Sequence, residues 1–165
     1  MSSKNLIPEL EFERTSTQKL LERLPEDKLS WKPHPKALTL GQLAFHVATI
    51  PGRIAIFAND GTTTAEVLTD HPLCTDKNEI LEVFDTKFNE ALSVLNNTDD
   101  TWDAENWSCT LDGKEIINWP RPVLLRFLML NHWYHHRGEL VTYLRTLDVL
   151  IPSIYGPSAD ENPFA

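Results

Sequence analysis

The chemistry open to this chain starts with three histidines in the stretch N-H-W-Y-H-H-R-G-E, residues 131 to 139. The stretch lies inside a long apolar run, Val123 to Leu150, that reads as a helix. At about 100° per residue, with His132 at zero, Leu125, Leu128, Met129, Leu140, Tyr143, Leu147 and Leu150 fall between about −40° and +80°. His136, at about +40°, shares that stripe with His132 one turn away, whereas His135 lies near its edge at about −60°. Two imidazoles converging from i and i+4 are a recurrent way for a helix to hold a transition metal. A histidine on an apolar face is also commonly a core residue with a hydrogen-bond partner. H-x-x-x-H here lacks the glutamate of the H-E-x-x-H pattern. From this helix alone both readings stand.

A third imidazole comes from upstream. Thr39 opens a helix with the capping-box sequence T-L-G-Q, in which Thr39 caps a backbone N–H and Gln42 reaches back. Leu43 and Ile50 lie at about +60° and +40° from His46, so His46 belongs to the buried stripe and is the candidate third ligand. Pro51 and Gly52 predict a kink before Ile54, and N-D-G-T at residues 59 to 62 closes the run. His34, between Pro33 and Pro35, reads as a solvated loop histidine; His71-Pro72 reads as a turn.

The remaining elements must position these groups. Leu6 to Leu24 carries a helical pattern ended by Pro25, and residues 29 to 37 form an extended connection anchored by Trp31. Residues 60 to 75 read as a connection, and Asn78 to Leu95 as an amphipathic helix. Asp112-Gly113 between two short alternating runs predicts a hairpin or irregular insertion before the last helix, with Trp107 and Trp119 packed or lining a cleft. Pro120 and Pro122 suit the entry to that helix. Val123, Phe127, Leu130, Tyr134 and Val141 form a second apolar stripe opposite His132, which could meet this chain or a second subunit. The tail after Leu150 is rich in turn residues, yet Ile151, Ile154 and Tyr155 predict that it packs.

At 165 residues the chain suits one domain, 1–165. Its net charge of −9 opposes a nucleic-acid surface, which needs clustered Lys and Arg. The N-terminal residues lack a signal-peptide pattern and no run reads as a membrane span, so a cytoplasmic protein is expected. Cys74 and Cys109 stand in no ligand spacing and read as free thiols. No glycine-rich phosphate loop or nucleophile elbow appears.

With these residues in hand, the chain resembles the DinB-like superfamily, which includes YfiT-type metalloproteins. The likeness rests on L-G-Q-L-A-F-H-V-A around His46 and on H-x-x-x-H-R-G from His132 to Gly138. W-K-P at residues 31 to 33 and Y-G-P-S-A-D-E near the C-terminus add to it, so that it spans about residues 29 to 161. It implies an all-α four-helix bundle, usually dimeric, with a divalent metal on His46, His132 and His136. Many relatives carry Gln where this chain has Glu139. Some members are S-transferases that use a low-molecular-weight thiol.

Three histidines leave coordination positions open, the form of a catalytic rather than a structural site. The expectation is a divalent metal, zinc or nickel ahead of iron or manganese, serving thiol transfer or hydrolysis on a small molecule. Glu139, near −20° on the wheel, is either an acceptor that orients an imidazole or a partly exposed helix charge. The rival reading is a non-enzymatic metal-binding stress-response protein. A homodimer is expected, without nucleic-acid or membrane partners.

Overall fold

The computed structural model describes residues 2–164. A 3-10 turn at Ser3–Leu6 runs into helix α1, Ile7–Leu21, whose Pro8 sits in the first turn, where no intrahelical donor is needed. Helix α2, Leu40–Asp60, begins with the expected capping box: the Thr39 hydroxyl accepts from the Gln42 N–H, and the Gln42 side chain accepts from the Thr39 N–H.

Pro51 does not divide α2, which is continuous over 21 residues. It removes the donor that would normally serve the carbonyl four residues earlier, that of Val47. The buried Trp133 indole N–H fills the gap at 2.9 Å. Beside it, a Cβ on Gly52 would come within 2.4 Å of the Lys87 carbonyl oxygen, so only glycine allows the helix to approach so closely here. In length and apolar composition α2 could cross a membrane, contrary to the sequence reading. In the fold 72% of its most apolar window is buried within the protein.

Residues 60 to 75 are more than a connection. Strand β1, Thr62–Thr64, and the short helix α3, Ala65–Leu68, follow α2 directly. Helix α4, Lys77–Asn96, is capped by Asp76, and the single turn α5, Asp100–Asp103, by Asp99. Strands β2, Asn106–Leu111, and β3, Lys114–Pro120, form the expected antiparallel hairpin. Asp112 (φ 49°) and Gly113 (φ 74°) take the left-handed conformations that a tight two-residue turn demands. β1 pairs in parallel with β2, giving the order β1-β2-β3. Three threonines carry no apolar alternation, which is why the strand escaped the sequence reading.

The last helix is composite. An α-helical turn, α6 at Arg121–Leu124, passes into π-helix over Leu125–Asn131 and then into α7, His132–Thr146. The wider π turn breaks the 100° register, so the second apolar stripe is not buried throughout. Leu130 is buried and Tyr134 and Val141 are half-buried, but Val123 and Phe127 are exposed.

Helix α2 packs against α4 on one side and the last helix on the other, while α1 lies on α4. α1 reaches the last helix through ion pairs, Glu9 with Arg126 (2.7 Å) and Glu13 with Arg137 (2.6 Å). The result is the expected four-helix bundle, with the three-stranded sheet beside it. The tail lacks regular structure but buries Ile151 and brings the Tyr155 hydroxyl to Arg137 and Glu13.

Candidate metal centre

His46 lies in mid-α2, and His132 and His136 occupy the first turns of α7, directly after the π segment. Packing of α2 against α7 brings the three together: one ligand nitrogen from each lies within 4.8 Å of the others. The ring centroids of His46 are 5.2 Å from His132 and 4.6 Å from His136. The Nε2 atoms of His132 and His136 are 2.7 Å apart.

Glu139 sits one turn beyond His136, with Oε2 at 2.5 Å from His136 Nδ1. An ionised carboxylate only accepts, so the ring proton belongs on Nδ1 and the Nε2 lone pair faces the cluster. His46 is 6% exposed, and neither of its ring nitrogens has a hydrogen-bond partner among the described residues; nor does His132 Nδ1. Imidazole nitrogens buried without partners cost about 1–3 kcal/mol each. A cation satisfies one nitrogen of each neutral ring and so removes part of that cost, and this donor set fits a transition metal.

The electrostatics agree. Burial, reinforced by His136, His71 and His132, pushes the His46 imidazole from its usual 6.5 down to about 2. Burial and the neighbouring His136 bring His132 down to about 4. His136 is lowered by burial, against the opposing pull of Glu139. All three rings are therefore neutral at physiological pH, the form that binds metal.

The cluster forms one wall of a cavity of about 370 Å³. Its other walls are largely apolar, from Ile50, Ile54 and Phe57 of α2 and from Leu68 and Leu128. Arg53 also lines it and donates to the Val67 and Asp70 carbonyls (2.7 and 3.1 Å), tying down the chain after α3.

The structure corrects two expectations. His71 is not merely part of a turn: its ring packs on His46 (centroids 4.5 Å apart) and lines the cavity, although it lies outside the three-nitrogen cluster. Gln42 holds it there by donating to the His71 carbonyl at 2.9 Å. His132 and His136 also do not sit within the buried stripe of α7. The buried residues of α7 are Trp133, Arg137, Leu140 and Leu144, centred near +110°, so the histidines stand at its border, facing the cavity. The wheel had averaged in the residues of the π segment.

His34 is exposed, and His135 is 64% exposed with its Nε2 3.7 Å from Glu139. Cys74 and Cys109 are free and buried, with burial raising both thiols. Trp107 is wholly buried and Trp119 packs near Phe127, so neither lines this cavity. Sequence reasoning missed Arg137, which follows His136 in the chain but is buried toward α1 and paired with buried Glu13. Glu13 shares a helical stripe with Leu10, Thr17, Leu20 and Leu21, and an acid there was the available signal for a buried cation.

Comparison with known proteins places the chain in a family. The chain is 30% identical over 153 residues to the uncharacterized protein YrdA of Bacillus subtilis strain 168, covering 92% of this chain and 86% of that one. Its fold is similar to a crystal structure of a DinB-like protein from Bacillus cereus ATCC 10987, with a TM-score of 0.69 and 26% identity over 94% of this chain and all of that one. The DinB-like protein YjoA of B. subtilis superposes with a TM-score of 0.66 at 19% identity, covering 87% and 92% of the two chains. The DinB family pattern matches residues 1–162, and the chain belongs to the DinB family.

Proposed function

We propose that His46, His132 and His136 hold a divalent metal, zinc or nickel ahead of iron or manganese, and that the protein is a metal-dependent S-transferase for a small apolar electrophile. The observation that carries this reading is the convergence of three neutral imidazoles, His46 buried and His132 and His136 half-buried, on the wall of an apolar cavity of small-molecule size. A metal with three protein ligands keeps a position where it binds a thiol as thiolate or activates water.

The chain's own residues account for the rest. Glu139 fixes the His136 tautomer and ring orientation through Nδ1. Trp133 holds the helix bearing His132 and His136 against the one bearing His46. Ile50, Ile54 and Phe57 exclude water and offer an apolar surface to the electrophile. The transfer forms a carbon–sulfur bond as the leaving group departs, and the thiol proton passes to solvent. The reading places the protein in the cytosol, where low-molecular-weight thiols stay reduced. It also includes a homodimer through the exposed Val123 and Phe127, which a monomer by sedimentation at micromolar concentration would rule out.

The test is spectroscopic. Co(II)-substituted protein should develop a sulfur-to-metal charge-transfer band on adding a low-molecular-weight thiol, and His132→Ala protein should not. Thiol and electrophile should then be consumed together by the metal-loaded protein. No band with any of several thiols, alongside hydrolysis of an ester or amide, would replace transfer with hydrolysis.

A further inference from the structure

A second group of metal-competent side chains stands on the outer face of the same helix. His135, His136 and Glu139 bring one ligand atom each within 4.8 Å of the others. His135 and Glu139 are exposed, at 64% and 45%, while His136 is only 15% exposed. The two clusters share one residue, His136, whose ring nitrogens face opposite ways. Nε2 points at His132 (2.7 Å) and Nδ1 at Glu139 (2.5 Å).

We propose that His135, His136 and Glu139 form an outer metal site through which the inner three-histidine site is loaded. This role rests on the inner cluster being the resident metal site. Two imidazole nitrogens and a carboxylate oxygen are a donor set suited to a divalent transition metal. Their exposure makes the site accessible and weak, whereas the inner nitrogens lie deeper, with His46 only 6% exposed. The carboxylate also draws cations to this outer face.

The imidazole of His136 makes the two sites alternatives. When Nδ1 ligates on the outside, the ring proton sits on Nε2 and is donated to His132 Nε2, across a gap of hydrogen-bond length. When Nε2 ligates on the inside, the proton returns to Nδ1 and is donated to Glu139. A neutral ring carries one proton in both states, so neither requires an imidazolate, and the hydrogen bond of one state occupies the ligand position of the other.

Zinc chloride titrated into a His46→Ala/His132→Ala protein isolates the outer site. That protein should bind one zinc ion weakly by calorimetry, and adding His135→Ala should abolish the binding. In the otherwise native protein, His135→Ala should keep full zinc content at equilibrium but load it more slowly by about tenfold, in stopped-flow competition with a chromogenic chelator. The doubly substituted protein failing to bind zinc, or His135→Ala protein loading at the native rate, would overturn the proposal. Neither result bears on the inner site, whose own failure would show as a native protein with no tight zinc.

Discussion

The Trp133 indole N–H donates to the Val47 carbonyl at 2.9 Å, and each residue is the immediate neighbour of a cluster histidine, His132 and His46. The acceptor is free because Pro51 supplies no N–H to it. A proline that merely bends a helix in the sequence reading thus creates the docking point between the two helices that carry the site. Trp133→Phe should leave that buried carbonyl unpaired and lower stability by about 1–3 kcal/mol in urea unfolding. It should also weaken zinc binding, because the His46 to His132 spacing loosens. Unchanged stability and zinc affinity together would show that the bond does not set the spacing.

A second consequence concerns pH. His46 and His132 titrate near 2 and 4 in the folded protein, below the 6.5 of a free imidazole. Between these values the unfolded chain binds more protons than the folded one, so stability is full above about pH 6.5 and falls as pH drops toward 4. Chelator-treated protein should therefore show a lower urea midpoint at about pH 5 than at about pH 7.5, and His46→Phe should flatten that slope. An unchanged slope in His46→Phe would place the titration elsewhere.

The buried pair of Glu13 and Arg137 gives a third. Their side chains are 6% and 2% exposed, and Arg137 also donates to the Thr17 hydroxyl and the Tyr155 hydroxyl. Arg137→Leu strands the carboxylate and should cost about 3–5 kcal/mol, whereas Arg137→Met with Glu13→Leu should recover much of the loss. Thermal or urea unfolding of the single and double variants checks this. Equal losses in both would mean that the packing, and not the ion pair, matters.

How much of this was legible in the sequence follows from the local character of each signal. The Thr39 capping box, the Asp112-Gly113 turn and the helical stripes of α2 and α4 are short-range patterns, and they appear in the structure as read. The i, i+4 spacing put His132 and His136 together because α7 is regular where they sit. What failed was long-range or irregular. β1 exists only through its pairing with β2, and the π segment that exposes Phe127 has no sequence period of its own. His71 reaches His46 through a loop whose path depends on Gln42 and Arg53, contacts that no spacing encodes.

The three-histidine site itself is tested most directly by elemental analysis of the untagged protein and its variants after exhaustive dialysis. The native protein should carry one divalent transition-metal ion per chain, and His46→Ala, His132→Ala and His136→Ala proteins should each be nearly empty. His34→Ala, His71→Ala and His135→Ala proteins should retain full content at equilibrium. A folded native protein that holds no metal after growth and reconstitution with zinc and nickel, or a His46→Ala protein with unchanged content, would contradict the assignment.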